Sequence, residues 1–317
     1  MRSLGIFAAP RKPSAKELAR QLVALAEAHG IEVRIQDGCA QEIGRSELAC
    51  ETNDDVAACD VLVTLSGDGG VLSAARAAAP HNTPILAVDL GRLGFLSSVR
   101  PTELERAFAL LLRNEFVVEE RMMLDARVLR QGSGSGVEGI NTDSQPVGPD
   151  PEPGTPNPAE IGGSIGLNDA VVAKSALARI LRLSIYIEDE LVAQTRSDGL
   201  IIATPTGSTA YALSAGGPIV HPAVPLLLIC PICAHSLTQR PLVAGPDETI
   251  EVRAEWEGDE VAASEMQAML TVDGQVGVFL QSGDVVRVRR SAHRARLLHH
   301  PDDSFYSRLR QKMGWGG

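Results

Sequence analysis

Lysine is scarce in this chain: of 317 residues only Lys12, Lys16, Lys174 and Lys312 carry an ammonium group. The formal net charge of −11 is spread along the sequence without a basic stripe, which argues against a nucleic-acid partner, because such proteins neutralise phosphates with clustered cations. Also missing is any run of the roughly 18 apolar residues that a membrane helix requires. The opening MRSLGIFAAPRKPS lacks the apolar core and small-residue cleavage site of a secretory leader, so a cytoplasmic protein with no membrane partner is expected. Cysteines are few and odd in number (Cys39, Cys50, Cys59, Cys230, Cys233), without a framework spacing, which fits reduced thiols. Cys230-Pro231-Ile232-Cys233 has no second CxxC to complete a zinc site. It is either half of a metal or redox pair or two small hydrophobes ending the apolar run LLLICPIC. The P-loop pattern GxxxxGK[ST] is absent, and GxGxxG does not follow the first strand, which disfavours those two nucleotide-binding classes.

What is present is organised in two parts, as the length and the 44% hydrophobic content allow. In residues 1–118 strands and helices alternate. SLGIFAA is a strand, Ser14-Ala15-Lys16-Glu17 reads as a capping box opening a helix that ends at Gly30, and IEVRI is a second strand. Val61 to Leu65 is apolar on both faces and is followed by a helix from about Gly70 to Ala79. PILAVDL is a fourth strand, and Thr102-Glu103-Leu104-Glu105 is expected to cap the helix ELERAFALLLRN. This alternation predicts an α/β domain with a parallel sheet flanked by helices. Residues 119–299 carry strand-like segments with few helices between them and predict a β-rich second domain. Within it, residues 132–163 are rich in Gly, Pro, Ser and acid and are expected to form a mobile insertion. Residues 300–317 are expected to form a polar, partly helical tail that packs back on the first domain.

Three glycine-containing loops carry candidate chemistry. Strand, Ser66-Gly67-Asp68-Gly69-Gly70, helix places backbone N–H groups and a positive dipole end at the carboxyl edge of a parallel sheet, where phosphates bind. Asp68 would repel phosphate there unless it binds Mg²⁺ or takes a proton from an attacking hydroxyl; alternatively the loop is a tight turn with Asp68 as an N-cap. Gly91-Arg92-Leu93-Gly94-Phe95-Leu96 follows the next strand on the same edge, and Phe95 is either a ring flanking a nucleobase or ordinary core. RSDGLIIATPTGSTAYALSAGGPIV holds Arg196, Asp198 and a hydroxyl-rich turn from Thr206 to Tyr211. Such a turn suits ribose or phosphate oxygens, or satisfies its own backbone.

Taken in order and spacing, SGDGG, GRLGFL, NDAVV, RSDGLIIATPTGSTAYALSAGGPIV and HSLTQRPLV resemble the NAD kinases over nearly the whole chain except residues 132–163. The long TPTGSTAY run is specific; GDG loops alone also occur in lipid and sugar kinases. The resemblance implies an α/β domain plus a β-sandwich, in a homodimer or homotetramer. It implies transfer of a phosphoryl group from ATP, with Mg²⁺ or another divalent cation, to the 2′-hydroxyl of the adenosine ribose of NAD⁺. It makes Asp68 the base, beside Gly69, and puts Phe95 near the adenine. NAD contacts are implied for Asn168, Asp169, Arg179, Arg196, Asp198, Thr209, Ala210, Tyr211, Ser214 and Gln275, with Asp198 reaching a neighbouring subunit, and no protein metal ligand is implied. With so few lysines, arginine and backbone N–H groups must do most of the protein's phosphate binding. Where the family has Gly-Gly-Asp-Gly-Thr or Asn, this chain has Ser66 and Gly70, so a side chain is added on one side of Asp68 and removed on the other. A lipid or sugar kinase, or a nucleotide sensor without turnover, are the competing readings.

Overall fold

The computed structural model describes residues 1–9, 12–91, 94–130, 158–175, 180–236, 238–256 and 268–315. The first part runs β1 (Ser3–Ala8), α1 (Pro13–Ala28), β2 (Glu32–Gln36), α2 (Asp37–Ile43), β3 (Ala49–Cys50), α3 (Asn53–Ala57), β4 (Val61–Ser66), α4 (Asp68–Ala78), β5 (Pro84–Asp89) and α5 (Leu104–Arg113). All its strand pairs are parallel, in the order β3-β2-β1-β4-β5. Alternate strand residues face opposite sides, so each side needs a cover. Leu4, Ile6, Val63 and Leu65 pack with Leu18 and Leu22 of α1 and Phe108 of α5, whereas Phe7, Leu62 and Ile85 pack with α3 and α4.

Two helix starts differ from the sequence reading. α1 begins at Pro13, with Lys12 as the cap residue and no side-chain cap bond; Pro is pre-set for the first helical turn, and it displaces the expected Ser14 box. The α5 region is entered through a 3₁₀ turn, Pro101–Glu103, in which Glu103 accepts the Arg100 N–H at 3.1 Å, so Thr102 is not the cap. The other end of α1 is as expected. Gly30, at φ +65°, closes it with the N–H of Gly30 bonded to Glu27 and that of Ile31 to Ala26. The short α2, β3 and α3 were not legible in the sequence.

The second part contributes β6 (Val117–Arg130), β7 (Ala159–Gly166), β8 (Asp169–Lys174), β9 (Leu181–Ile187), β10 (Glu190–Ser197) and β11 (Gly199–Ala203). After the short helix α6 (Tyr211–Ser214) come β12 (Leu227–Ile232), β13 (Leu242–Ala244), β14 (Ile250–Glu255), β15 (Ala268–Val272), β16 (Val276–Leu280) and β17 (Val285–His299). A six-stranded antiparallel sheet, β13-β12-β11-β8-β15-β16, faces β6, β9, β14 and β17 across a shared core that includes Leu124, Val172, Leu183, Ile202, Val252 and Leu270. This is a β-sandwich. β17 also pairs in parallel with β5 through Arg296 and Leu297, so one eleven-stranded sheet runs through both parts of the chain.

Of the expected insertion, residues 132–157 lie outside the described residues. The remainder corrects the reading: from Ala159 the chain is β7, paired antiparallel with β6. The ladder uses backbone groups, so small residues suffice, and Gly163, at φ +148°, lies so close to Ala126 that a Cβ would fall 2.1 Å from its carbonyl oxygen. A C-terminal helix, Phe305–Met313, sets Phe305 edge-on to His221 and sends Arg308 to Glu119 and His299, partners in the second part and not in the first domain, on which the tail was expected to pack.

Candidate functional site

Gly67 caps α4 and Asp68 occupies its first turn, not the cap position. Its carboxylate points across to the loop after β5. Oδ2 accepts the Phe95 N–H at 3.0 Å, and Oδ1 lies 3.4 Å from both the Leu96 nitrogen and the Ser97 hydroxyl. That loop is itself held by buried Asp89, whose two oxygens take the N–H groups of Gly91 at 2.8 Å and Gly94 at 2.9 Å. A Cβ at Gly94 would sit 1.8 Å from Asp68 Oδ1, so the contact exists only because residue 94 is glycine. Phe95 is half-buried.

The added Ser66 and the missing side chain at position 70 turn out to be one feature. A Cβ built on Gly70 would lie 2.0 Å from Ser66 Oγ and 2.4 Å from Ser66 Cβ. Ser66 therefore fills the volume that residue 70 leaves empty.

A second loop closes on α4 from the sandwich. Asp273 and Gly274, at φ +53° and +63°, are the central residues of the turn in the three-residue connection between β15 and β16, in which the Gln275 N–H bonds the Val272 carbonyl at 3.0 Å, a conformation for which Asp-Gly is a strong signal. The next residue, Gln275, accepts the Ser73 hydroxyl at 2.8 Å and an Arg76 N–H at 3.1 Å, and donates to the Gly69 carbonyl at 2.6 Å. Asp273 turns the other way. It accepts the backbone N–H groups of Leu167 at 2.9 Å, Asn168 at 2.7 Å and Asp169 at 3.2 Å, with Arg76 at 3.7 Å. Gln275 and Asp273 thus tie the Asp68 loop to Asn168 and Asp169 at the start of β8. Burial, with the charge of Asp273 adding to it, pushes the Asp169 carboxyl up to about 7. Burial also raises Asp273, against the three N–H groups and Arg76.

The hydroxyl-rich turn abuts the same place. The Thr204 N–H bonds the Asn168 carbonyl at 2.9 Å, and a Cβ on Gly207 would meet that carbonyl at 2.1 Å. Its hydroxyls are spent on the fold: Ser208 Oγ donates to the Pro205 carbonyl and accepts the Val220 N–H, and Thr209 donates to the Thr206 carbonyl. Buried Arg121 donates to Thr206 Oγ1 at 3.4 Å. Tyr211 and Ser214 are exposed, while Thr209 and Ala210 are half-buried.

The structure therefore joins Asp68, Gly69, Phe95, Asn168, Asp169 and Gln275 through hydrogen bonds or adjacency, with the Thr206 turn against Asn168. It does not bring Asp198 to them. Asp198 pairs with Lys174 at 2.7 Å, at the far end of β8, about 17 Å along the strand from Asp169; Arg196 is exposed at the end of β10. Arg179 lies outside the described residues. Asp89, Ser73, Arg76 and Asp273 were missed from the sequence; only Asp273 had a signal, the Asp-Gly turn. Cys230 is buried in an apolar cluster and Cys233 is exposed, both as free thiols. Among the described residues no three His, Cys, Asp or Glu side chains are grouped to hold a metal ion.

Residues 4–116 match the model of the ATP-NAD kinase N-terminal domain, and residues 167–300 that of the C-terminal domain. NAD kinase of Syntrophotalea carbinolica is 36% identical over 316 residues, covering 100% of this chain and 99% of the relative. NAD kinase of Moorella thermoacetica is 39% identical over 317 residues, covering 100% and 91%. Among solved structures, yeast NADH kinase complexed with NADH superimposes with a TM-score of 0.81 at 25% identity, covering 100% of this chain and 89% of that one. An Archaeoglobus fulgidus NAD kinase in complex with ATP shares the fold, with a TM-score of 0.69 at 21% identity and full coverage of both chains.

Proposed function

Since the chain belongs to the NAD kinase family, we propose that it transfers the γ-phosphoryl group of ATP to the 2′-hydroxyl of the adenosine ribose of NAD⁺, giving NADP⁺ and ADP. The observation that carries this reading is the grip on Asp68. One carboxylate oxygen is bonded to the Phe95 N–H, and its loop is tied through Gln275 and Asp273 to Asn168 and Asp169. Such a carboxylate is oriented to accept the hydroxyl proton as the ribose oxygen bonds to phosphorus and the bond to the β-phosphate oxygen breaks, with ADP leaving. Asn168, the Thr209–Ser214 stretch and Phe95 then hold the NAD⁺ adenosine. The N–H groups of Asp68 and Gly69, at the positive end of α4, then face the incoming phosphates.

A divalent cation fits this donor set only as a companion of the nucleotide. No three acidic or other ligating side chains are grouped among the described residues, and Mg²⁺ characteristically takes one or two carboxylates with phosphate oxygens and waters. When bound it would neutralise the triphosphate, while the protein's own part is to orient the hydroxyl and receive its proton.

Arg196 and Asp198, a strand's length from their own Asn168, make sense if they serve a second copy's nucleotide. Exposed Val192 of β10 and exposed Leu242 of β13 line one groove, and we take this surface as the subunit contact of a homo-oligomer. Val192→Asp with Leu242→Asp should yield monomers by light scattering. A cytoplasmic location is in keeping with the five free cysteines, and no helix among the described residues is long and apolar enough to cross a membrane.

Purified protein with NAD⁺, ATP and Mg²⁺ should form NADP⁺, and Asp68→Asn should lower kcat by about 10²- to 10⁴-fold, the range that general-base catalysis supplies. NAD⁺ binding without NADP⁺ formation, over a range of donors and metals, would favour the sensor reading instead.

A further inference from the structure

At the far end of α4 from Asp68 lies a concavity of about 1040 Å³, lined by Arg76, Arg127, Arg289, Arg290, Arg294 and His293, with Asp125 and Asp247 as the carboxylates among the described lining residues. Arg76 is eight residues beyond Asp68, about 12 Å along the helix. One wall is made by an irregularity in β17. Between Arg290 and Arg294 the register against β6 slips, so that Ser291, Ala292 and His293 leave the ladder. Such bulges re-aim side chains and often border binding sites.

Arg127 is held firmly, by buried Asp125 and by Glu160 at 3.0 Å, whereas Arg289, Arg290 and Arg294 have weaker partners. Asp125 is shared, taking Arg127 Nε at 2.6 Å and two nitrogens of Arg289 at 3.3 Å. Arg290 has Asp247 at 3.1 Å, and that carboxylate is 82% exposed. Arg294 pairs with half-exposed Glu120. Exposed pairs of this kind contribute little and exchange readily. A guanidinium carries five N–H donors in a fork matched to phosphate oxygens, so the wall keeps N–H donors beyond those that Asp125, Asp247, Glu120 and Glu160 take up. The chain as a whole is acidic, which repels long polyanions and leaves the concavity open to compact ones.

We propose that this concavity is a second binding site, for a small anion carrying two or more phosphate groups. Its volume is that of a pocket for a metabolite-sized ligand. Arg76 also serves Gln275 and Asp273, so the test avoids it and uses Arg289→Ser with Arg290→Ser.

The experiment is calorimetric titration of the full-length protein with inorganic triphosphate. Wild type should show one more bound triphosphate per chain than the double variant, or affinity at least tenfold tighter for one site. Arg310→Ser, which removes a charge from the exposed C-terminal helix, should titrate like wild type. If the double variant does not fold, Arg289→Ser alone, whose side chain is 60% exposed, should weaken that site at least threefold. Equal titrations of wild type and variant, or equal weakening by Arg310→Ser, would overturn the assignment. Because the readout is binding and not turnover, it stands apart from the proposed reaction.

Discussion

Gly70→Ala places a methyl group 2.0 Å from Ser66 Oγ and 2.4 Å from Ser66 Cβ, far inside van der Waals contact. Ser66 is buried at the end of β4 and its hydroxyl donates to the Gly67 carbonyl at 3.1 Å, so it has little room to retreat. Overpacking of this kind costs about 1–3 kcal/mol, against which the better helix propensity of Ala returns up to about 1 kcal/mol. Ser66→Gly alone should cost about 0.5–1 kcal/mol through backbone entropy in a strand. In the double variant the clash has no partner, so only the entropy cost at 66 and the propensity gain at 70 remain, and these nearly cancel. The expected coupling energy is therefore about 1–3 kcal/mol in favour of the pair. Urea unfolding midpoints of the four proteins, followed by circular dichroism, measure it. Additivity within about 0.5 kcal/mol would refute the idea that residues 66 and 70 compete for one volume. Because Asp68 is held from the loop after β5, the double variant should also keep its kcat within about threefold, a factor worth under about 0.7 kcal/mol.

Gly94→Ala drives a methyl group into Asp68 Oδ1, and kcat should fall at least as far as in Asp68→Asn while the fold, judged by far-ultraviolet circular dichroism, persists. Gln275→Ala removes the bonds to Gly69, Ser73 and Arg76; KM for NAD⁺ should rise about tenfold or more, equivalent to about 1.4 kcal/mol, and an unchanged steady-state KM would count against the clamp. For Glu119, burial alone would raise the carboxyl, but the hydrogen bond from His299 and the charge of Arg121 outweigh it and hold it at about 2. A depressed folded value means that its stabilisation is present above its ordinary range near pH 4.5 and is lost as pH falls toward 2. Glu119→Gln should flatten denaturation midpoints across that window. Asp169 has the opposite sign: raised to about 7, it favours the fold below pH 4 and loses that contribution as pH rises through 7. Its carboxyl carbon, followed by NMR in the nucleotide-free protein, should titrate near neutrality with Asp273 coupled to it.

The parallel half was readable because both-face burial writes continuous apolar strands and each helix has its own period. Cap positions were less so: Ser14 had the right chemistry, but Pro13 one residue earlier was better suited to start the turn. The first five residues of β7 were read as part of a mobile insertion since Gly162 and Gly163 carry no apolar pattern, yet a ladder with β6 needs only their backbones. The candidate site divides the same way. Asp68 stood out as an acid held between glycines at a strand end, and Asn168 came only with the family resemblance. The clamps did not, because Gln275 meets Gly69 across 206 positions of sequence and nothing local marks such a bond. Likewise, a reading by position treated Ser66 and Gly70 as two departures; only their distance makes them one.

The pairing of β17 with β5 bears on how the chain is made. β5 ends at Asp89, while its partner residues Arg296 and Leu297 come near the C-terminus. At translation rates of about 5–20 residues per second, the roughly 200 residues in between take on the order of 10–40 s to emerge. During that interval the nascent α/β unit presents the start of β5, around Pro84 and Ile85, as an unpaired edge, while Ala87 to Asp89 are covered by Ser98 and Val99; such an edge is the kind of template on which chains aggregate. Synthesis of this protein thus contains a waiting period in which the first half has folded up to an open flank, and a chaperone that shields strand edges would act there and not after release.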